Sequence, residues 1–308
     1  MQVAGIRRIG ARIEMIEAAE PRPLADDEVL LAVMAAGVAN WDEFVRTGGW
    51  DVGAKPPMAL GVEAAGTVLA IGRAVSDWAP GSPVMTHPLP LRDQGTWAPR
   101  LIAPARLLAR KPDGVSWEAA AAFPVPALTA EQVLSEALGV RADEQLLVNG
   151  ASGVTGGLLV ALGARRGAQV IATAGPSNWE RVSALGARHV VDYHDQDWPE
   201  QVRALTGRRG VAAAANAAPG GAASALRAVA DGGRLATITS DPPGEQRGIA
   251  VSNIYVRPDG DQLRELAGPF GDGRLEIPVG ASYRLADAAQ ALAHVTGGHA
   301  AGAIVLTF

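Results

Sequence analysis

The chain has 308 residues, 48% hydrophobic and 19% charged, with a formal net charge of -5. This length suits two ordinary domains with ample core, and a nearly neutral chain without a basic stripe argues against a nucleic acid partner. The absence of cysteine excludes disulfides, thiolate metal sites and a cysteine nucleophile together.

The N-terminal stretch lacks the apolar core of a secretory signal, and no apolar run nears the roughly 20 residues of a membrane span. A soluble, cytoplasmic protein is therefore expected, with no membrane partner. The first third reads as β-rich. Residues 28–33 (EVLLAV) form an apolar run of strand length, and 97–103 (WAPRLIA) form another. Residues 61–75 carry Gly61, Gly66 and Gly72 among small apolar side chains, the pattern of strands with bulges or tight bends. Pro and Gly are dense between these runs, as in a folded barrel of short strands.

From Ser116 the pattern changes. An N-cap serine and an acid in the first turn open a helix over 116–123, and 128–138 continues helical. Strands over Gln145–Asn149, 169–174, 189–192, Val211–Asn216 and 234–239 then alternate with helices over 154–166, 180–185, 199–206 and 221–229. That alternation predicts a parallel, doubly wound sheet. A helix over 261–270 and a last strand over 302–308 return to the first domain.

The strongest local signal is QLLVNGASGVTGGLLVALGARRGAQVIATA, residues 145–174. A buried strand runs into Gly150, Ser152, Gly153, Val154, Thr155 and Gly156, then a helix, then a second buried strand. A pyrophosphate needs backbone N–H groups aimed at it and no Cβ in the way. Gly150 and Gly153 supply the tight turn and the close approach, while Gly156 or Gly157 lets the helix pack on the sheet. The alternative is a merely structural glycine turn, which the strand–turn–helix context disfavours. The second strand ends Ala174-Gly175-Pro176-Ser177-Asn178, with no acid before Glu180. An acid there would bind the ribose 2′-hydroxyl of NAD and repel a 2′-phosphate, so NADPH is favoured. Ser177, Asn178 and Arg181 are the candidate phosphate ligands; Arg181 reads equally as an exposed helix charge.

These residues resemble a known family. Residues 37–42 (GVANWD), 61–68 (GVEAAGTV), Phe123-Pro124 with Leu128-Thr129-Ala130, 185–187 with 191–193 (LGA, VDY) and 231–235 (DGGRL) are similar, in order, to motifs of zinc-independent medium-chain dehydrogenase/reductases of the quinone oxidoreductase type. The resemblance implies an α/β chain: a GroES-like β-barrel catalytic domain over 1–123 and 257–308, and a Rossmann doubly wound parallel-sheet domain over 124–256. It also implies cofactor contacts from Ala174, Asn216, Thr239 and Tyr193, the last read alternatively as an ordinary strand-end aromatic. Zinc members carry a Cys near position 40 and a His at position 62; here Asn40 and Val62 stand there, so no metal is expected. Three further departures are Asn178, Asn216 and Ala303, where many relatives carry Lys, Asp and Lys.

Without zinc, the natural chemistry is hydride transfer from NADPH to a quinone or an α,β-unsaturated carbonyl, helped by a positioned hydrogen-bond donor. Asn40 is the first candidate for that donor, or else a turn residue bonding its own backbone. Thr129 and Tyr255 are the other catalytic candidates; the alternatives are an N-terminal helix residue for Thr129 and a core or interface aromatic for Tyr255. Asp42 and Arg46 read as a surface pair, His87 as a loop histidine, and Trp41 and Trp50 as an aromatic wall or as packing. His189, His194, His294 and His299 show no metal spacing. Two other readings stay open: a tailoring enoyl reductase or cyclase on one biosynthetic intermediate, and a non-catalytic NADPH-binding protein. The resemblance also implies a homodimer paired through the edge of the parallel sheet, with the segment 247–256 as the candidate edge.

Overall fold

The computed structural model describes residues 1–298 and 300–308. They form two compact units, residues 1–125 with 257–308, and residues 126–256.

In chain order the first unit opens with β1 (Gln2–Ile6), β2 (Glu14–Glu17) and β3 (Glu28–Val38). Next come α1 (Asn40–Thr47), β4 (Met58–Ala59), β5 (Ala64–Ile71) and β6 (Pro83–Thr86). Then follow β7 (Arg100–Pro104), β8 (Leu108–Arg110) and α2 (Trp117–Ala121). The chain passes into the second unit along α3 (Pro124–Gln132). That unit holds β9 (Gln145–Asn149), α4 (Val154–Arg165), β10 (Gln169–Thr173), α5 (Trp179–Ala184) and β11 (His189–Val191). It continues with α6 (Trp198–Leu205), β12 (Val211–Asn216), α7 (Ala222–Ala228), β13 (Val229–Thr237) and β14 (Ala250–Asn253). The chain then returns to the first unit through α8 (Gly260–Gly271), β15 (Val279–Arg284), α9 (Ala288–Thr296) and β16 (Ala303–Thr307). Among the described residues, no helix is long and apolar enough to cross a membrane.

The first unit is built on a sheet in the order β15-β16-β3-β5-β6-β8, with β7 also pairing β3, and on a smaller sheet β2-β1-β4. Its pairings are antiparallel except β15 with β16. The glycines of the predicted strand region are close-approach positions. A Cβ on Gly66 would lie 2.1 Å from the Ala32 carbonyl oxygen, and one on Gly72 2.1 Å from that of Ala25. Gly61 sits at φ +89°, a tight bend of the kind the glycine pattern predicts, and β5 follows at Ala64–Ile71 with register shifts in its pairing to β3. The run expected at 97–103 starts at Arg100, because Trp97 turns inward and donates its indole N–H to the Gly37 carbonyl at 2.9 Å.

The second unit is a six-stranded parallel sheet in the order β11-β10-β9-β12-β13-β14. Strand order reverses between β9 and β12, and this is where doubly wound sheets receive ligands, beyond the carboxyl ends of the strands. The Ser116 N-cap is present, its hydroxyl accepting the Ala119 N–H at 3.1 Å. The helix expected over 128–138 is instead α3 followed by a π-helical turn, Val133–Ala137. Tyr255, expected in the last strand of this sheet, lies beyond it: β14 ends at Asn253, and Tyr255 is 66% exposed. The strands β1, β2 and β15 and the helices α1 and α9 fall outside the elements read from the sequence; all are short, α1 of eight residues and α9 of nine.

Candidate active site

The glycine turn follows β9 directly. Gly150 takes φ +87°, where a side chain is strained, and a Cβ there would meet the backbone of Ala217 and Ala218 within 3.2 Å. A Cβ on Gly156 would stand 2.1 Å from the Gly150 carbonyl oxygen, so Gly156 brings α4 onto the turn. Gly153 differs: its Cβ would meet only the Gly150 oxygen, at an ordinary 3.6 Å. Packing therefore accounts for Gly156 but leaves Gly153 free to carry a side chain. The bare Gly153, together with Val154, Thr155 and Gly156 in the first turn of α4, is what an approaching phosphate requires. The Ser152 hydroxyl in this turn is buried with no partner among the described residues. The turn thus fits a dinucleotide pyrophosphate.

Beside the turn lies a row of buried polar side chains at the carboxyl ends of the strands. Asn149, Asn216 and Thr237 are in register across β9, β12 and β13, and Thr173 ends β10. The Gly150 N–H donates to the Thr173 hydroxyl at 3.0 Å, which donates to Asn149 Oδ1 at 2.6 Å. Asn149 Nδ2 donates to Asn216 Oδ1 at 2.7 Å. Asn216 Nδ2 donates to the hydroxyls of Thr237 and Thr239, at 3.0 and 2.9 Å. Both hydroxyls donate to Asp241 Oδ1, at 2.7 and 2.6 Å. Burial pushes the Asp241 carboxyl up, but those hydroxyls and the Ala222 N–H outweigh it and hold it below the ordinary aspartate value. An Asp at position 216 would face this carboxylate; Asn216 supplies the donor it needs, which accounts physically for that departure. Asn216 and Thr239, both expected as cofactor contacts, therefore stand in the same network.

The remaining cofactor candidates cluster at the end of β10. Ala174 is buried, and its carbonyl accepts the Trp179 indole N–H at 3.0 Å. Ser177 and Asn178 lie in a 3-10 turn, with Asn178 Nδ2 donating to the Ser177 hydroxyl at 3.4 Å. Arg181 is not simply an exposed helix charge: its guanidinium donates to the Ser152 carbonyl at 2.5 Å, beside the glycine turn. Half-exposed Tyr193 stacks obliquely on His194, ring centroids 4.1 Å apart, and both rings approach Gly175.

In the first unit, Asn40 opens α1 with an exposed side chain that bonds no described residue, so it does not bond its own backbone. Asp42 and Arg46 are not a surface pair. Asp42 is fully buried and accepts the Ala39 N–H at 2.8 Å, whereas Arg46 pairs with Glu43 at 2.6 Å. Burial pushes Asp42 up to about 8, against that N–H. Glu63, also buried, accepts the Val125 N–H at 2.8 Å; burial raises its carboxyl well above the ordinary value, and the nearby Asp42 charge adds to that. Glu63 fills the space beside Gly37, where a Cβ would meet its Oε1 at 2.4 Å. His87 is not a solvated loop residue: it is 1% exposed, its Nδ1 is 2.7 Å from the Val62 carbonyl, and its ring centroid is 6.3 Å from that of Trp50. A carbonyl partner fixes the proton on Nδ1, so Nε2 is a bare, buried lone pair without a partner among the described residues. Burial lowers His87 to about 4. The Trp41 indole N–H is likewise buried and unpartnered among the described residues. Thr129 is buried, and the Tyr255 hydroxyl lies 3.2 Å from that of Ser240. His299 lies outside the described residues.

Known proteins match both units. The profile of alcohol dehydrogenase GroES-like domains matches residues 25–113, and that of zinc-binding dehydrogenases matches residues 185–306. A crystal structure of an NAD-dependent alcohol dehydrogenase is 28% identical, with a TM-score of 0.88 over 100% of both chains. The chain belongs to the medium-chain dehydrogenase/reductase family. A mycobacterial quinone oxidoreductase structure is 27% identical, with a TM-score of 0.80 over 100% of both chains. Erythronolide synthase EryA2 of Saccharopolyspora erythraea is 36% identical over 93% of this chain, which spans only 8% of that relative. Enzymes of the medium-chain family are oxidoreductases that use a nicotinamide cofactor, and the glycine turn fits one. Sequence reasoning missed Asn149, Thr173, Asp241 and Glu63 as parts of the two sites. A polar residue ending each of four neighbouring strands, Thr173, Asn149, Asn216 and Thr237, was the available signal for the first two.

Proposed function

We propose that this chain reduces a quinone or an α,β-unsaturated carbonyl with NADPH and without zinc. The observation that carries this reading is the pairing of a dinucleotide-fitting turn with the loss of donors where zinc relatives hold their metal. Val62 has no ligand atom, and Asn40 offers a neutral amide. Among the described residues, no group of three or more His, Cys, Asp or Glu side chains converges on a place that could hold a metal ion. These residues do not fit a zinc ion. A bound nicotinamide supplies the hydride. The chain's part is to hold the acceptor and to steady the negative charge that develops on its oxygen; the Asn40 amide is the donor assigned to that role by the family resemblance. Thr129 and Tyr255 are further candidates for positioning the ring and the acceptor.

The test is loss of NADPH absorbance with a panel of quinones and enones, for the parent protein and Asn40→Ala. Asn40→Ala is expected to lower kcat about 100-fold, the size of losing one oxyanion donor, with unchanged NADPH affinity. Turnover of no acceptor by the parent, or full turnover by Asn40→Ala, overturns the assignment. The NADPH preference rests on the missing acid after β10, with Ser177, Asn178 and Arg181 as phosphate ligands. Arg181→Ala should weaken NADPH about tenfold more than NADH in parallel titrations, as loss of a charge-assisted hydrogen bond does. An equal effect on both cofactors means Arg181 supports the turn alone.

A second reading is an enoyl reductase acting on one biosynthetic intermediate. It is favoured by the 36% identity to a segment of erythronolide synthase. It predicts weak turnover of simple quinones and strong turnover of an enoyl thioester. The edge strand β14 is proposed as the seam of a homodimer, and a monomer by light scattering would exclude it.

A further inference from the structure

The polar row beside the glycine turn has a direction. It starts at the Gly150 N–H, which only donates, and ends at the Asp241 carboxylate, which only accepts. Between these ends, Thr173, Asn149, Asn216, Thr237 and Thr239 each accept from the Gly150 side and donate toward Asp241. Both asparagines have one amide orientation that continues the chain, so neither can flip without breaking two hydrogen bonds. Thr173, Asn149, Asn216 and Thr237 are all buried, so each unmade bond strands a polar group away from water. Bonds so aligned polarise one another, and a charge at the accepting end orders the whole series. Asp241 Oδ2 meanwhile accepts the Ala222 N–H at 3.3 Å, which fixes the carboxylate against the start of α7.

We propose that Asp241 is a positioning residue for the dinucleotide site, acting through the Thr237/Thr239–Asn216–Asn149–Thr173 chain to fix the Gly150 amide and with it the phosphate-binding turn. The inference rests on the reading of that turn as the cofactor cradle. It gives Asn216 and Asp241 linked roles: the chain needs one carboxylate at its accepting end and an amide beside it. A carboxamide at 241 offers a second donor where only acceptors fit. A carboxylate at 216 puts two like charges together.

The test is a double-mutant cycle of the parent, Asp241→Asn, Asn216→Asp and the combined variant. NADPH affinity is read by calorimetry and Gly150 amide exchange by NMR on the protein without cofactor. Asp241→Asn is expected to weaken NADPH about tenfold and to raise Gly150 exchange by a similar factor. Asn216→Asp should do at least as much. In the combined variant Thr237, Thr239 and the new carboxamide at position 241 can all donate to the carboxylate at 216, and it should return to within about threefold of the parent. A merely structural loss is not rescued by a second substitution. Parent-like affinity and exchange in Asp241→Asn, or a combined variant as weak as the two losses multiplied, overturns the role. A parent protein that binds no dinucleotide overturns the cofactor reading and this role with it. Should Asp241→Asn fail to fold, Thr239→Val deletes one donor and no charge, and should raise Gly150 exchange about threefold; unchanged exchange there also overturns the role.

Discussion

Gly153→Ala is expected to leave the fold intact and to weaken dinucleotide binding at least about 100-fold, whereas Gly156→Ala should damage both. The difference follows from where each new methyl group would sit. At Gly153 the backbone is at φ -75° and the Cβ meets nothing nearer than the Gly150 oxygen at 3.6 Å, so an alanine costs the free protein little. The same methyl stands on the face where a pyrophosphate must come within hydrogen-bonding distance of backbone N–H groups. At Gly156 the methyl would lie 2.1 Å from a backbone oxygen, and the turn or α4 must move to admit it. Overpacking of that kind costs about 1–3 kcal/mol, which exceeds what alanine gains over glycine inside a helix. Thermal unfolding and calorimetric titration of the two variants separate these effects. Gly153→Ala binding NADPH and NADH like the parent would remove the glycine turn as the phosphate cradle. Gly156→Ala unfolding at the parent's temperature would show that the turn yields freely.

The contrast between these glycines marks what the sequence discloses. Gly150, Gly153 and Gly156 lie within seven residues, between an apolar strand and a helix, so local spacing announces a phosphate turn. The sheet was legible for the same reason: β9 and β12 are short apolar runs whose ends are set by neighbouring Asn and Gly. Asp241 was invisible because Asn216 and Ala222 meet it only after the sheet has assembled, and it sits in a stretch that looks like a loop.

The first unit was harder to read throughout. Asp42 and Arg46, four apart on a helix, have the spacing of a surface pair, but the capping of Ala39 turns Asp42 inward and leaves Arg46 to Glu43. His87 looked solvated amid prolines, yet it is buried by a carbonyl 25 residues away in sequence. Glu63 took its meaning from Gly37 and Val125, both distant in sequence. Periodicity reports which face of an element is apolar; it does not report which polar side chain will be enclosed when strands from separate parts of the chain close over it. The family resemblance placed Asn40 and Val62 side by side in role, but it carried no information about His87 on the Val62 carbonyl.

The buried acids of the first unit should make the protein less stable as the pH rises above neutrality. Asp42 keeps its proton in the folded state up to about pH 8, while the unfolded chain releases it near 3.8. The folded state therefore holds the extra proton between those values, and stability falls as pH rises through the interval. Glu63, raised well above its ordinary value mainly by burial, acts in the same direction. His87 has the opposite sign: lowered to about 4 against an ordinary 6.5, it adds stability as the pH climbs between those values and nothing further above them. Glu28, Glu43 and Asp241, all held low, change their contribution only in the acid range. The window from 6.5 to 8 thus isolates the two buried acids. Each proton released there removes about 1.4 kcal/mol per pH unit, so the unfolding temperature should drop by several degrees across it. Asp42→Asn keeps an oxygen for the Ala39 N–H and cannot ionise, so it should flatten that slope and leave the variant more stable than the parent at about pH 8. A parent protein whose unfolding temperature is flat or rising from pH 6.5 to 8 would show that both carboxyls ionise where they lie, and that the space around Gly37 admits charge and water.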